Sequence, residues 1–323
     1  MLKNILLISI LACVVGVGDQ RLSPPSRSVA VADLEGVDWV PGWERGVLLS
    51  VDFDTSTISV YDQAGQLQVR RTLSLADAAS VHILDVSAAP GGGLAASASV
   101  QSRAGAWASF IYWLDSRGQI VRTVRTSPGA ANLICFADDG TLWAVMWVHG
   151  ADFREAPHYD VLRHYDTDGR MIGSTLPRER VSGKPLLHAL SGDMTASADR
   201  IGIYAREVDK YIEVSNAGDI IGQWTLPGAA PGAPVGARLQ IDNVVLTSSN
   251  EVFAGIENIT RDGHATGGIY HLNKTTSAFE AVNTDSLSEG SGGFVQLYGA
   301  AGNELVVRAG RSRPYLWASP QSE

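Results

Sequence analysis

A repeat of about fifty residues is the feature of this sequence that most limits its fold. In each copy, an alternation of apolar and polar residues leads into a polar turn ending in glycine, and a second alternation follows. The turn glycines Gly65, Gly118, Gly169 and Gly218 stand 53, 51 and 49 residues apart. Asp or Asn at the start of such a turn and Gly at its end are typical of a tight β-hairpin. The hairpin therefore recurs along the chain, with a weaker fifth copy at 269–280.

The repeat predicts a β-propeller. A further strand pair precedes each hairpin, as in 135–145 and 247–255, and no helical period persists. Four short antiparallel strands per repeat are typical of a propeller blade. Five hairpins and a three-strand remnant at 294–319 predict six blades. The alternating segment 27–34 is expected to supply the strand that the last blade lacks, because this pairing removes two exposed sheet edges. We predict an all-β, six-bladed propeller that forms a single domain over 27–320.

The hairpin pattern also carries a resemblance. Its Tyr/Leu-Asp-x-x-Gly-x-Ile/Leu motif, present around Asp62 and Asp115, resembles that of the NHL-type and TolB-like six-bladed propellers. Such propellers are common among exported bacterial proteins. The resemblance covers nearly the whole chain after residue 18 and rests on the repeat, so it implies a fold rather than one activity.

The first 18 residues have the layout of a secretory signal. Lys3 precedes an apolar run at 5–17, which ends in small residues and is shorter than the about 20 residues that cross a bilayer. Cleavage after Gly18 would give a secreted or periplasmic protein. Alternatively, the lipobox-like sequence ending at Cys13 would make that cysteine the lipidated N-terminus of an outer-membrane lipoprotein. We predict a signal peptide over 1–18, no transmembrane span, and a membrane tether only if Cys13 is lipidated.

Charge and cysteine content narrow the classes of function. The 25 Lys and Arg residues against 34 Asp and Glu residues give a net charge of −9 at pH 7. A nucleic-acid binder needs a basic surface, so we predict no nucleic-acid partner. Cys135 is the one cysteine after Cys13 and lies in an apolar run. We predict a buried structural thiol there rather than a nucleophile.

The strand order predicts a face of the propeller that carries the long connections, here called the loop face. It holds the loops between second and third strands and those between blades, while tight turns occupy the opposite turn face. Binding residues concentrate on loops held by a rigid scaffold. Guanidinium groups bind carboxylates and phosphates through paired hydrogen bonds. Arginines fall in these loops in five successive blades: Arg103, Arg154, Arg206, Arg261 and Arg313. These residues predict a site for an anionic ligand, unless they pair with acidic residues of the same loops.

A second set of polar residues falls on the first strands, which are expected to line the central tunnel. Counting nine residues back from the start of each second strand gives Asp38, Asp85 and Asn243, and Asp193 falls one residue off. Such oxygen donors suit Ca²⁺. Lactonase-like six-bladed propellers hold a catalytic Ca²⁺ in the tunnel, and similarity to them implies a metal-assisted hydrolase. Those enzymes also use a Glu, which this register lacks. The alternative is a polar tunnel filled with water.

Two functions therefore stay open. The first is an exported, non-catalytic binding or scaffold propeller, which recognises a protein, a peptide or an anionic small molecule on its loop face and needs no cofactor. The second is a Ca²⁺-assisted lactonase or esterase-like hydrolase, with Asp38, Asp85, Asp193 and Asn243 as metal ligands. No catalytic side chain is assigned in either case, because the sequence has no known hydrolase motif.

Overall fold

The computed structural model describes eight ranges of the chain. These are 20–31, 42–150, 154–183, 189–226, 238–260, 265–287, 295–309 and 314–322. The predicted signal peptide over 1–18 and four of the predicted site residues lie outside the described residues: Cys13, Asp38, Arg261 and Arg313.

The described strands form successive four-stranded antiparallel units. The chain begins with two short strands, β1 (Gln20–Leu22) and β2 (Arg27–Val29). Unit 1 contains β3 (Gly42–Glu44), β4 (Val47–Asp52), β5 (Thr57–Tyr61) and β6 (Leu67–Thr72). Unit 2 contains β7 (Ala78–Ala88), β8 (Leu94–Ser102), β9 (Trp107–Leu114) and β10 (Ile120–Arg125). Unit 3 contains β11 (Gly129–Phe136), β12 (Leu142–Val148), β13 (Asp160–Tyr165) and β14 (Met171–Pro177).

The second half of the chain repeats this arrangement. Unit 4 contains β15 (Gly192–Ala196), β16 (Arg200–Ala205), β17 (Lys210–Ser215) and β18 (Ile220–Thr225). Unit 5 contains β19 (Arg238–Leu246), β20 (Val252–Ile259), β21 (Ala265–Asn273) and β22 (Ala278–Ala281). The last strands are β23 (Val295–Ala301), β24 (Glu304–Ala309), β25 (Tyr315–Ala318) and β26 (Pro320–Ser322).

Strand pairing closes the chain into a ring. β2 pairs antiparallel with β25, so the N-terminal strand becomes the fourth strand of unit 6, beside β23 and β24. A parallel bridge between Gly299 and Trp43 joins units 6 and 1. β1 pairs with β26, a second contact between the chain ends that the sequence did not predict. The all-β propeller is confirmed, including its closure by an N-terminal strand. The count of six blades stays a prediction, because linking segments such as 32–41 lie outside the described residues.

The core is divided into layers between neighbouring units. Leu133 of unit 3 packs in one layer with Ile201 of unit 4, and the rings of Trp43 and Trp317 meet edge to face at 4.8 Å between units 1 and 6. Cys135 is 1% exposed in the layer between units 3 and 4, and burial raises the pKa of its thiol well above the ordinary value. The predicted burial of this cysteine is confirmed.

Helical structure is short within the described residues. It consists of α1 (Arg178–Val181) after unit 3 and of two 3-10 turns at Arg206–Val208 and Asp285–Leu287. In this part of the chain, no helix has both the length and the apolar character needed to span a membrane.

The repeated hairpin turns also hold neighbouring units together. In unit 1, Asp62 Oδ1 accepts the backbone N–H groups of Ala64 and Gln66 at 2.8 and 2.9 Å, and Gly65 closes the turn with a φ of +77°. A Cβ on Gly65 would lie 2.5 Å from the carbonyl oxygen of Ala30, just beyond β2. This glycine therefore meets two needs at once, a left-handed backbone and close contact with the strand that closes the ring.

We expect Gly65→Ala to destabilise the protein more than Gly105→Ala. Both glycines close a turn at positive φ, and a side chain there costs about 1–2 kcal/mol. A Cβ at Gly105 meets nothing within 4 Å, whereas at Gly65 it would push against the backbone of Ala30. The crowding should cost about 1–3 kcal/mol more. Urea unfolding of both variants measures the difference, and equal losses would show that the turn does not support ring closure.

Candidate functional site

The first strands of the six described units surround a central cavity of about 890 Å³. This volume lies within the range of ligand pockets in proteins. Each first strand begins at the loop face and ends in a hairpin at the turn face, so the wall is built from side chains at successive depths. The wall carries apolar groups such as Leu133 and Val244 together with the acids Glu44, Asp85, Asp193 and Asp242. The cavity is therefore both apolar and acidic.

Four of the first strands carry a β-bulge where they line this cavity. In β7 a further shift, between Ala78 and Ser80, lies outside the cavity wall. Where the four strands line the cavity, one residue of each has no partner on the second strand, so the register shifts by one. A bulge redirects a side chain and interrupts regular pairing, and bulges are frequent next to active sites. The extra residues all line the cavity, and we call them the bulge ring: Leu84, Asn132, Asp242 and Tyr298. Local backbone geometry thus marks this level of the tunnel as a candidate binding level.

Three of the four predicted metal ligands lie in the cavity wall, where they bond to neighbouring strands. Asp85 Oδ2 accepts the N–H of Ile134 in the next unit at 2.7 Å, and its Oδ1 accepts the N–H of Val86 at 2.9 Å. Asp193 Oδ2 accepts the N–H of Val244 at 3.0 Å. Each carboxylate therefore links two units of the ring.

Asn243 makes the corresponding link between units 5 and 6, since its Nδ2 donates to the carbonyl of Leu297 at 2.8 Å. Within the described residues, no group of three or more His, Cys, Asp or Glu side chains is arranged to hold a metal ion. Ca²⁺ needs six to eight oxygen ligands, so Asp85, Asp193 and Asn243 do not fit a Ca²⁺ site by themselves. Asp38 lies outside the described residues, and the predicted ligand set stays a prediction.

Glu44 is a further acid of the cavity wall that the sequence analysis missed. It ends β3 near the turn face, where its Oε1 accepts the hydroxyl of Ser87 at 2.7 Å and its Oε2 accepts the N–H of Ala88 at 2.8 Å. The Ser87 hydroxyl oxygen in turn accepts the N–H of Phe136 at 3.1 Å. One carboxylate thereby connects units 1, 2 and 3. The nine-residue count did not find it, because Glu44 stands at the end of its strand.

Removal from bulk water changes the acidity of these groups. Burial raises the pKa of Asp85 to about 8, against the effect of its two backbone hydrogen bonds and with added repulsion from Glu44 and Asp193. Burial also raises the pKa of Glu44 and of Asp193 to about 7 each, and Arg206 holds that of Asp193 lower than burial alone would. At neutral pH the carboxyl groups of Glu44, Asp85 and Asp193 are therefore partly protonated and can donate hydrogen bonds as well as accept them.

Arg206 is the predicted loop-face arginine that lines the cavity. It begins the 3-10 turn after β16, and its Nη2 donates to the carbonyl of Ile241 in the next unit at 3.2 Å. Among the described residues the guanidinium makes this one hydrogen bond, which leaves its other N–H groups available to a ligand.

The other described arginines of the predicted set lie elsewhere on the loop face. Arg103 is exposed and donates from Nη2 to the carbonyl of Ala76 at 3.0 Å. Arg154 is exposed in the connection between β12 and β13, where its carbonyl accepts the N–H of Gly150 at 2.8 Å. Neither is part of the cavity wall as described. The five-arginine ligand site therefore stays a prediction, with Arg206 as its one described member in the cavity.

Comparison with known proteins adds information on the fold. A protein from Bacteroides fragilis that is labelled as exported is 10% identical, with coverage of 95% of this chain and 97% of that chain and a TM-score of 0.51. A protein of unknown function from Bacteroides caccae is 9% identical, with coverage of 94% of each chain and a TM-score of 0.47. A gluconolactonase from Xanthomonas campestris is 10% identical, with coverage of 93% and 97% and a TM-score of 0.40.

The likeness to the Bacteroides fragilis protein bears on the fold alone, because an identity of 10% is too low to transfer an activity. No family model matches the sequence, and no curated protein matches it. The resemblance to the NHL-type and TolB-like group therefore stays a prediction.

We expect Glu44 to make the protein less stable as the pH rises from about 4.5 to about 7. Its pKa is raised from 4.5 to about 7 on folding, so over this range the folded state holds a proton that the unfolded state has released. The group thus favours unfolding by up to about 3 kcal/mol at pH 8. Glu44→Gln keeps an acceptor for Ala88 and cannot ionise, and it should flatten the profile of unfolding free energy against pH.

Glu207→Gln is the matched control for this measurement. The carboxylate of Glu207 accepts the N–H and the hydroxyl of Ser191, much as the carboxylate of Glu44 accepts the N–H of Ala88 and the hydroxyl of Ser87. Glu207, however, is exposed on the loop face. A flattening no larger in Glu44→Gln than in Glu207→Gln would mean that Glu44 is ionised in the folded protein throughout this range.

Proposed function

We propose that this protein is an exported, non-catalytic binding propeller whose ligand enters the central cavity from the loop face. Arg206 anchors the ligand through a carboxylate or phosphate group. The observation that carries the proposal is the position of Arg206 in the cavity wall, with most of its guanidinium N–H groups unused by the described residues. Arg206 is exposed, and a guanidinium with free N–H groups can form paired hydrogen bonds with such anions.

Export belongs to the same proposal and rests on the signal-like layout of residues 1–18. Cleavage after Gly18 would release the protein, whereas lipidation at Cys13 would leave six residues, 14–19, between the lipid anchor and β1. Either route delivers the folded propeller outside the cytoplasm. Membership of the NHL-type and TolB-like group would agree with that location.

We expect Arg206→Gln to weaken the binding of small carboxylates or phosphate by about tenfold or more. A hydrogen bond to a charged group contributes about 1.5–3 kcal/mol, and each 1.4 kcal/mol is a factor of about ten in Kd. Calorimetric titration with acetate, succinate, citrate and inorganic phosphate measures the effect. Arg103→Gln is the control, because Arg103 also donates to one backbone carbonyl on the loop face but lies outside the cavity wall. Equal affinities in wild type and Arg206→Gln for every anion would refute the proposal.

A Ca²⁺-assisted lactonase or esterase-like hydrolase is the second candidate, because Asp85, Asp193 and Asn243 line the same cavity. A ligand that binds only the folded state raises the melting temperature. Under this alternative, Ca²⁺ raises the melting temperature, EDTA reverses the rise, and Asp85→Asn abolishes it. A melting temperature that does not respond to Ca²⁺ or EDTA would exclude it.

A further inference from the structure

The cavity holds two opposite charges that do not pair with each other. Arg206 donates to the carbonyl of Ile241, and Asp242 Oδ1 accepts from Gln240 Nε2 at 2.7 Å. Both residues are described, and no salt bridge within 4 Å joins them. Arg206 is exposed, whereas Asp242 is half-buried, and a carboxylate that is partly removed from water is costly unless a counter-charge is supplied. A ligand that carries both counter-charges would satisfy Arg206 and Asp242 together.

The two charges come from neighbouring units of the same wall. Arg206 follows the end of β16, and its guanidinium reaches the carbonyl of Ile241, the residue before Asp242. Asp242 belongs to the bulge ring, so the extra residue of β19 is placed at the wall of the cavity midway along its strand. Both act on Asp193, whose pKa is lowered by Arg206 and raised by Asp242, which indicates that they lie near one carboxyl group. The space between them belongs to the cavity.

The rest of the wall favours a cation over a second anion in the deeper part of the cavity. Glu44, Asp85 and Asp193 are acidic, and Arg206 is the one basic residue among the described residues of the wall. Glu44 and Asp193, with pKa values raised to about 7, are in part ionised at neutral pH, so a ligand with several negative charges would be repelled by them. An ammonium group gives charge-assisted hydrogen bonds to Asp242, and the apolar parts of the wall accept a carbon chain.

We propose that the cavity binds a small amphoteric molecule, with its carboxylate at Arg206 and its amine at Asp242. This inference rests on the proposed function and adds a second recognition element to it. The ligand class is a molecule with one carboxylate and one primary amine separated by a short carbon skeleton.

The test uses two series of probes that differ only in the amine. The first series runs from 4-aminobutyrate to 8-aminooctanoate, so that the carbon chain samples a range of distances between the charges. The second series contains the N-acetyl derivatives, which keep the carboxylate and lose the cation. Calorimetric titration of the wild-type protein should give, for the best chain length, a Kd about tenfold or more below that of its N-acetyl derivative.

Asp242→Asn should remove this preference and leave the Kd of the N-acetyl derivative unchanged. The variant keeps the oxygen that accepts from Gln240, so the fold should be retained, and thermal melting checks this. Glu207→Gln is the control, because it removes one negative charge next to Arg206 in the chain but outside the described cavity wall, and the preference should remain.

The outcomes separate this inference from the proposed function. The inference would be overturned by equal affinities for the two series, or by a preference for the free amine that persists in Asp242→Asn. In either case, binding of the N-acetyl derivatives that depends on Arg206 would still support the proposed function. N-acetyl derivatives that bind equally well to wild type and Arg206→Gln would count against the proposed function. No binding of either series would overturn the inference as well.

Discussion

Ring closure by β2 and β25 is the constraint on which the rest of the structure depends. Each four-stranded unit buries apolar side chains against both neighbours, so an open row of units would leave two apolar faces in water. β2 completes unit 6, and the contact between Trp43 and Trp317 fills the layer between the first and last units. The first strands enclose a cavity only because this row is bent into a ring. The candidate site is therefore a consequence of closure.

The same polar groups hold the ring together and give the cavity its chemistry. Glu44, Asp85 and Asp193 each accept a backbone N–H from the next unit. In this position each carboxyl group is removed from water, which raises its pKa. Apolar replacements would leave the N–H groups of the neighbouring strands without an acceptor. The carboxyl groups that make the tunnel acidic are thus the same groups that join neighbouring units. A substitution at one of these residues should therefore change both the stability of the protein and its binding of ligand.

The sequence predicted what depends on local chemistry and missed what depends on register. The turn around Asp62 and Gly65 could be predicted because its residue types are set by its own hydrogen bonds and backbone angles. The closing strand could be predicted because the last repeat lacked one. A bulge adds a single residue without a composition of its own, so counting along the strands found Asn243 and passed over Asp242 beside it. Arg103 and Arg206 look equivalent in the sequence, and only the 3-10 turn after β16 brings Arg206 to the carbonyl of Ile241.

Unit 4 differs from the bulged units in the element that supplies its charge to the cavity wall. β15 pairs with β16 without a shift in register, so this strand adds no residue to the bulge ring. The loop after β16 contributes Arg206 instead, at the loop face. Within the described wall, positive charge therefore comes from a loop and negative charge from strands. The guanidinium reaches the carbonyl of Ile241, the residue before Asp242. An amphoteric ligand consequently has one favoured orientation, with its carboxylate at Arg206 and its amine at Asp242, because the reverse orientation places like charges together at both ends.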